Sequence, residues 1–459
     1  MVVLYDMKPS LPYRSFSMPH PSSPSSILTH YLVTDLAGIT RGRGAWALAN
    51  EGLKSGVGWV PVNQIISPFD TIASPNPWGS HGDCRLRTDE ATLVDVPLTP
   101  DGPRLRFALC DISDLQGQDM GLCARSFVRR MVEELAAMKI RVMASFEQEF
   151  WLTLPGEDGG TPGFSYQRAV RHEPFSSNLM TLLEQAGVEP EMLLAEFAEN
   201  QFELTMKPSF GVTSADRAVV SRELVRAYAH RAGGHASFSP LRHAGGVGSG
   251  VHVHLSLWDG EGRPLLYDSA GEAGLSRIGQ AFCAGIVNHM SALCALTASS
   301  VISYERLKPH RWSSAYTCMG DRNREATLRL CPVVGSDPAS IARQFNVEYR
   351  AADATANPYL VLGGLLAAGL DGIRTDAGMP PLVNSDPSEL PEEELRRAGV
   401  ERLPQSLPEA LDRLEKDALL CEALGASLVE ALILAKRHEA DLCSAWDADE
   451  LCRRYAAIY

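Results

Sequence analysis

The chain has 459 residues, 45% of them hydrophobic and 21% charged, which is the composition of a globular protein long enough for more than one domain. Its net charge of −14 argues against a nucleic-acid binder and against a protein of anionic membrane surfaces. No apolar run approaches the roughly 18 residues of a membrane-spanning helix. The ten cysteines follow no disulfide-framework or CxxC spacing, so we expect a cytoplasmic protein with reduced thiols.

The first quarter of the chain has the pattern of short strands and turns. Residues 1–27 are rich in Ser and Pro and are predicted to form a disordered arm. Strands are predicted over 30–36, 91–97 and 104–110, and a long loop rich in Pro, Gly, Asn and Ser covers 67–82.

The rest of the chain alternates helices and strands without a βαβ rhythm or a glycine-rich phosphate loop. Hydrophobic periodicity predicts helices at 124–138, 175–187, 191–197, 215–233, 272–298, 357–373, 407–416 and 427–440. Strands are predicted at 146–154, 200–206, 235–239, 250–258, 315–319, 326–330 and 345–350, with an irregular loop at 304–315. This order predicts an α+β fold with a mainly antiparallel sheet.

Pairs of polar residues two positions apart interrupt three of these apolar strands. Glu147 and Glu149 form one pair, and His252 and His254 form another. On a strand this spacing points both members of a pair to the same face. Carboxylate oxygens are the ligands that Mg²⁺ and Mn²⁺ prefer, so the pairs indicate a divalent-metal site. The alternatives are a salt-bridged strand face for the glutamates and, for the histidines, one core and one surface residue.

Further charged residues occur in three places. Glu348 and Arg350 repeat the two-residue spacing, and Glu196, Glu199 and Glu203 surround the start of a predicted strand. Several arginines are spread through mixed apolar segments, a pattern that fits a polyanion site; they are Arg306, Arg324, Arg329 and Arg350. A charged helix end and ordinary solvated arginines are the alternatives.

Taken in order, these motifs resemble the glutamine synthetase family. The resemblance is carried from residue 29 to the C terminus by motifs of this sequence: Asp35-Leu36-Ala37-Gly38-Ile39-Thr40-Arg41-Gly42, Glu147-Gln148-Glu149, Gln201-Phe202-Glu203, Gly248-Ser249-Gly250-Val251-His252-Val253-His254-Leu255-Ser256-Leu257, Asn323-Arg324 with Arg329, Glu348-Tyr349-Arg350 and Asn357-Pro358-Tyr359-Leu360.

The resemblance implies a small N-terminal β-grasp domain at 28–115 and a catalytic domain at 116–459, whose curved antiparallel sheet forms a funnel flanked by helices. It implies an ATP-dependent ligase that activates glutamate as γ-glutamyl phosphate, with two or three Mg²⁺ or Mn²⁺ ions in each site. It also implies a homo-oligomer, a dodecamer of two hexameric rings. The site residues carried over are Glu149, Glu196 and Glu203 for one metal, Glu147, His252 and Glu348 for another, Gly248, Arg306 and Arg350 for glutamate, His254 and Ser256 for the nucleotide, and Arg324 and Arg329 for the phosphoryl group.

One departure from the family bears on the nucleophile. Ammonia-using members carry a glutamate six residues after the position of Arg306, and this chain has Trp312 there. An indole offers an apolar face and cation–π attraction to a substituted ammonium, so we interpret the protein as a glutamate–amine ligase of the γ-glutamylpolyamine type, using an amine larger than ammonia. His310 and the loop 67–82 are further candidates for the amine pocket. Glutamine synthetase proper and a non-catalytic structural member of the fold are the alternatives.

Overall fold

The structure is a computed structural model that describes residues 26–48, 56–99, 102–156, 160–311 and 313–459. Residues 1–25 of the predicted arm lie outside the described residues, whereas Ser26 and Ile27 begin the first strand. The predicted α+β fold, with a small N-terminal domain and a catalytic domain built on a curved sheet, is confirmed. The domain boundary between residues 115 and 116 stays a prediction.

The N-terminal domain is built on a six-stranded sheet in the order β2-β1-β6-β4-β3, with β5 also paired to β6. Its strands are β1 Ser26–Thr34, β2 Thr40–Leu48, β3 Val57–Trp59, β4 Cys84–Thr88, β5 Val94–Pro97 and β6 Arg104–Ser113. The β1–β6 pair is parallel and the other pairs are antiparallel. Short 3₁₀ helices follow β3 and β4, at Pro61–Ile65 and Glu90–Thr92.

The catalytic domain is organised around a nine-stranded sheet in the order β13-β14-β15-β12-β7-β9-β8, in which β10 and β11 also pair with β7. Its strands are β7 Arg141–Thr153, β8 Pro190–Ala195, β9 Gln201–Met206, β10 Ser209–Phe210, β11 His235–Ser237, β12 Val251–Trp258, β13 Met319–Asp321, β14 Leu328–Leu330 and β15 Val347–Tyr349. Only β13 and β14 pair in parallel among these described strands.

The described part of the catalytic domain also contains fourteen α-helices. They are α1 Ala124–Ala137, α2 Tyr166–Arg171, α3 Phe175–Gln185, α4 Thr213–Arg231, α5 Arg277–Asn288, α6 Met290–Thr297, α7 Ser303–Arg306, α8 Pro338–Gln344, α9 Pro358–Arg374, α10 Glu392–Arg397, α11 Leu407–Lys416, α12 Ala418–Leu424, α13 Ala426–Cys443 and α14 Ala448–Ala456. The central helix α9 is buried along most of its length and is capped by the side chain of Asn357, which accepts from the amide of Tyr359.

The turn between β1 and β2 joins the N-terminal sheet to the catalytic domain. Asp35 is fully buried and holds the turn by accepting hydrogen bonds from Ala37, Ile39 and Arg41. Asn357 donates to the backbone carbonyls of Thr34 and Asp35 at 3.1 and 3.0 Å. The same asparagine therefore caps a helix of one domain and holds a turn of the other.

Several predicted elements differ from the structure, among them the strand predicted at 315–319, of which only Met319 lies in a strand. The helix predicted at 191–197 is wrong, because Pro190–Ala195 pairs with β9 as an edge strand. Glu, Met, Leu and Ala are good helix formers, and sheet pairing overrides that weak local preference here. The single helix predicted at 272–298 is two helices, α5 and α6, bent by 73° at His289. The predicted irregular loop at 304–315 also begins inside the short helix α7.

No single helix in the described ranges is both long and apolar enough to cross a membrane; two bent pairs pass on length and composition alone, α5 with α6 and α12 with α13.

His289 lies at the bend between α5 and α6, and its ring contacts α9 and the beginning of α12. Its Nδ1 lies 2.6 Å from the carboxylate of Asp417, and its Nε2 lies 3.3 Å from that of Asp371. Burial by itself lowers the pKa of His289, but hydrogen bonding to Asp417 and the charges of both aspartates raise the pKa above its ordinary value.

Replacing His289 with glutamine should remove a pH-dependent part of the free energy of unfolding. Because the folded pKa is raised, this stabilisation is fully present below the unfolded pKa of about 6.5 and is lost as pH rises through the folded pKa. We expect the wild type to lose at most about 1 kcal/mol relative to His289→Gln over that rise, since solvent partly screens the pair. Denaturant unfolding from about pH 5.5 to about pH 9 measures it, with exposed His30→Gln as control; a pH-independent difference would contradict the assignment.

Candidate active site

The register of β7 with its two neighbours collects polar side chains on one face of the sheet. Glu147 lies opposite His252 on β12, and Glu149 lies opposite Glu203 on β9. Glu147 and Glu149 are two residues apart on the same strand, so both pairs project to the same side. The i, i+2 spacing in the sequence is therefore realised as a continuous polar surface across three strands.

The same surface continues across β15 and β14. His254 lies opposite Glu348, which in turn lies opposite Arg329. Arg329 donates to Glu348 at 2.8 Å, and Arg350 makes a second, shorter contact with the same carboxylate. His254 also approaches Glu147, with Nε2 3.0 Å from Oε1.

This surface forms the floor of a cavity of about 730 Å³. The cavity is lined by Glu147, Glu149, Phe164, Leu194, Glu196, Gln201, Glu203, Val247, Gly248, His252, His254, His310, Arg324, Glu325, Arg329, Glu348 and Arg350. The structure thus brings together eleven of the fourteen predicted site residues. Of the other three, Ser256 and Arg306 do not line the cavity, and Trp312 is not among the residues that the structure describes.

Ser256 and Arg306 lie outside the cavity for different reasons. Ser256 is on β12 and its hydroxyl accepts from the indole of Trp258 at 2.8 Å. Arg306 is buried and donates to the carbonyls of Ala351 and Ala352, both at 2.7 Å. It packs under Gly248, where an added Cβ would lie 2.5 Å from the Arg306 Cγ, so no larger residue fits at 248 without a shift. Trp312 lies outside the described residues, and its role stays a prediction.

Glu149 and Glu203 are half-buried acids that make no ion pair among the described residues. Burial raises the pKa of Glu149 to about 7, in spite of the hydrogen bond that it accepts from the amide of Gly250 at 2.9 Å. Burial also raises the pKa of Glu203 to about 9, and the charges of Glu147 and Glu149 add to the effect. Burial raises the pKa of Glu196 as well. The charges of nearby arginines, Arg306 and Arg350 for Glu149 and Arg324 for Glu196, do not offset the effect of burial on these pKa values.

On the opposite side of the floor, neighbouring histidines and arginines lower the pKa values of the carboxylates. Burial would raise the pKa of Glu147, but hydrogen bonds from His252 and His254 hold the pKa well below its usual range. Burial would likewise raise the pKa of Glu348, but the charges of His252 and Arg350 lower it to about 2. These two carboxylates are therefore ionised in the folded protein.

The donor atoms fit divalent cations. Ligand atoms of Glu147, His252 and Glu348 lie within 4.8 Å of one another, and so do ligand atoms of Glu149, Glu203 and His252. Carboxylate-rich sets with one imidazole suit Mg²⁺ or Mn²⁺. Glu196 lines the same cavity but belongs to neither group, and His252 belongs to both.

Several cavity residues were not picked out from the sequence as site residues. Gln201 donates from Nε2 to the carboxylate of Glu149, to the carbonyl of Gly248 and to the hydroxyl of Ser249, at 3.2, 2.9 and 3.0 Å. Its position two residues before Glu203 was a usable signal, since it shares that strand face. Phe164 and Leu194 had no such signal, because nothing in their local pattern separates a cavity wall from a packed surface.

Comparison with known proteins agrees with the geometry. Residues 121–453 match the family described as "Glutamine synthetase, catalytic domain", and residues 18–119 match the "Glutamine synthetase N-terminal domain". The chain belongs to the glutamine synthetase family. Family members are ATP-dependent carbon–nitrogen ligases that use divalent metals, glutamate and an amine or ammonia, and this chain is such a ligase.

Two curated relatives and two solved structures illustrate the range of the family. The chain is 34% identical over 415 residues to the gamma-glutamylpolyamine synthetase GlnA3 of Streptomyces coelicolor, covering 88% of this chain and 87% of the relative. It is 31% identical over 387 residues to the glutamine synthetase of Halobacterium salinarum, covering 81% and 84%. A crystal structure described as a novel glutamine synthase homolog aligns with a TM-score of 0.87 at 41% identity, covering 96% and 100%. A GmaS/ADP complex aligns with a TM-score of 0.78 at 26% identity, covering 94% and 96%.

Removing the carboxylate of Glu203 should reduce metal binding. At a metal concentration 100 times Kd, binding to the native state stabilises it by about 2.7 kcal/mol, so Mg²⁺ or Mn²⁺ should raise the melting temperature of the wild type. Glu203→Gln deletes one of the three grouped donors and should lose most of that rise.

The control is Glu199→Gln, which removes an exposed carboxylate of the same segment that does not line the cavity. Calorimetric melting with EDTA and with each metal gives the comparison. An unchanged metal-induced shift in Glu203→Gln would contradict the assignment of Glu203 as a ligand.

Proposed function

We propose that this ligase joins the γ-carboxylate of glutamate to an amine larger than ammonia through γ-glutamyl phosphate. The observation that carries the proposal is the single cavity in which a metal-binding floor of carboxylates and His252 faces Arg324, Arg329 and Arg350. Both ATP and glutamate are anions, and a site that brings them together must supply concentrated positive charge.

The proposed reaction has two steps. The γ-carboxylate oxygen of glutamate attacks the γ-phosphorus of ATP, and ADP leaves with the electrons of the broken P–O bond. The amine nitrogen then attacks the acyl carbon, inorganic phosphate leaves, and the nitrogen loses a proton to give the amide. Bound divalent metals would shield the negative charge of the phosphates and of the attacking carboxylate. Arg324 and Arg329 would hold the transferred phosphoryl group in place.

The roles proposed for individual residues follow the positions of the side chains. Glu149, Glu196 and Glu203 would hold one metal, and Glu147, His252 and Glu348 another. Gly248 and Arg350 would bind glutamate, with Arg306 beneath Gly248 keeping that backbone in position. His254 and Ser256 would lie toward the nucleotide, and Arg324 and Arg329 would contact the phosphoryl group. We further propose a cytoplasmic homo-oligomer, a dodecamer of two hexameric rings.

Three observations favour an amine over ammonia. Position 312 carries tryptophan where ammonia-using members carry a glutamate. The described wall of the cavity includes the apolar residues Phe164, Leu194 and Val247, which suit the carbon chain of a substituted amine. The relative from Streptomyces coelicolor is named for polyamine substrates. Glutamine synthetase proper remains the second candidate, because the relative from Halobacterium salinarum has that name.

A panel of nitrogen donors tests the proposed function. With ATP, Mg²⁺ and glutamate, phosphate release should require an added amine, and kcat/KM should be at least about tenfold higher for the best alkylamine than for ammonium, a difference of about 1.4 kcal/mol. Mass spectrometry should detect the γ-glutamyl amide. Ammonium turnover as efficient as that of any amine would instead identify a glutamine synthetase.

Arg324 offers a test of the phosphoryl-binding wall. Arg324 is exposed in the cavity, and within the described ranges its guanidinium makes no ion pair, so it is available to a bound anion. Arg324→Ala should lower kcat by about 10² to 10³, the usual effect of removing one group that stabilises a developing charge. The melting temperature and its metal-induced shift should not change.

The matched control is Arg322→Ala, which removes a neighbouring arginine that is 69% exposed and paired with Asp321 outside the cavity. It should keep the wild-type kcat. Equal losses in the two variants would show that the effect comes from the loop and not from the cavity.

A further inference from the structure

One carboxylate that lines the cavity, that of Glu325, is not among the proposed metal ligands. Five of the six cavity glutamates are on or beside the strands of the floor, whereas Glu325 lies in the loop between β13 and β14. That loop is held in place locally, because the amide of Glu325 donates to the side chain of Asn323 at 3.0 Å, and Asn323 donates to the carbonyls of Val383 and Ser385. Glu325 is thus a fixed acid on the wall.

The carboxylate of Glu325 has no cationic partner of its own within the described ranges. It is half-buried, and among the residues that the structure describes none of the ion pairs includes it. The charge of Arg350 acts on Glu325, but that guanidinium is already bound to Glu348 and to the carbonyl of Arg324. Burial and the charge of Asp386 raise the pKa of Glu325, whereas His310 lowers it.

The other groups near Glu325 are already satisfied. Asp386 accepts from the amide and the hydroxyl of Ser388 and pairs with His310 at 3.0 Å. His310 in turn lies 3.0 Å from the hydroxyl of Ser388. Glu325 is half-buried, makes no ion pair among the described residues and feels the charge of a second carboxylate, Asp386. Such a carboxylate is stabilised by a cation that enters from the cavity.

We propose that Glu325 is a specificity-determining residue that selects an amine with a second positive charge, a diamine or polyamine, over a monoamine of equal length. The inference rests on the proposed function, because it assigns a recognition group to the amine of that reaction. The reacting nitrogen must be uncharged to attack the acyl carbon, whereas a distal ammonium keeps its charge throughout. Glu325 follows Arg324 in the chain, and the guanidinium of Arg350 donates to the carbonyl of Arg324 at 3.1 Å, which keeps Glu325 next to the predicted glutamate site.

Two amines of the same length separate this role from general catalysis. We would measure phosphate release with ATP, glutamate and either 1,4-diaminobutane or butylamine, which differ only in the second ammonium group. The wild type should have a kcat/KM for the diamine at least about tenfold above that for butylamine. Glu325→Gln keeps the size of the side chain and should raise the KM for the diamine about tenfold, with kcat within about twofold, and leave butylamine unchanged.

Glu389→Gln is the control, since Glu389 is an exposed carboxylate three residues from Asp386 that does not line the cavity. It should leave both amines unchanged and so exclude a general effect of net charge. Glu325→Ala carries the same test if the glutamine variant does not fold, and its activity with butylamine reports on the folded state.

The outcomes are distinct. A wild type without preference for the diamine, or a Glu325→Gln variant that changes both amines equally, overturns the role of Glu325 and leaves the proposed ligase intact. Activity with ammonium alone and with neither amine overturns the proposed function, and the inference with it. Loss of the diamine preference in Glu325→Gln only, with butylamine turnover retained, supports both.

Discussion

The carboxyl groups of Glu149 and Glu203 lie opposite each other on adjacent strands, and the rest of the catalytic domain depends on this unfavourable contact being held in place. Like charges at directly opposed positions destabilise a sheet, and burial increases that cost. The strand that carries Glu149 is the longest in the sheet and pairs with β9, β10, β11 and β12. A residue in such a ladder cannot turn away without breaking backbone hydrogen bonds on both sides, so the two carboxyl groups stay opposite each other and their pKa values are raised.

The floor of the cavity is divided electrostatically. Glu348 receives Arg329, Arg350 and the nearby His252, and it stays ionised without any added ion. Across the same surface, Glu149 and Glu203 face each other with no comparable partner in the described chain. A divalent cation is therefore stabilised most where the protein has supplied least positive charge. In the opposite half, Arg329 and Arg350 lie beside Glu348, next to the second proposed metal position.

Much of this site follows from spacing in the sequence. Glu147 with Glu149 and His252 with His254 share faces because side chains alternate on a strand, and this needs no knowledge of the fold. The order of the motifs indicated the family. The family in turn implied that strands distant in the sequence form one curved sheet. How deeply a side chain is buried is harder to predict from the sequence. Arg306 was expected to bind the substrate, yet it lies under Gly248 and donates to backbone carbonyls.

Other parts could not be predicted because they are properties of tertiary structure. The segment Pro190–Ala195 has helix-forming residues, and only the exposed edge of β9 makes it a strand. The bend at His289 depends on aspartates that are 82 and 128 residues away in the chain. The position of Glu325 on the cavity wall depends in the same way on distant contacts. Asn323 holds the loop by donating to the carbonyls of Val383 and Ser385, which are far away in the sequence.

The turn between β1 and β2 has a consequence for how the protein is made. Its partners Asn357 and Tyr459 are separated from it by 323 and 422 residues, respectively. During synthesis the N-terminal sheet emerges first, but the turn has nothing to dock on until α9 and Tyr459 have left the ribosome. Contacts this distant also close the largest loops and form slowly. Substitutions at this junction should therefore appear as slow folding and aggregation of nascent chains, while the mature enzyme that escapes them keeps its normal turnover.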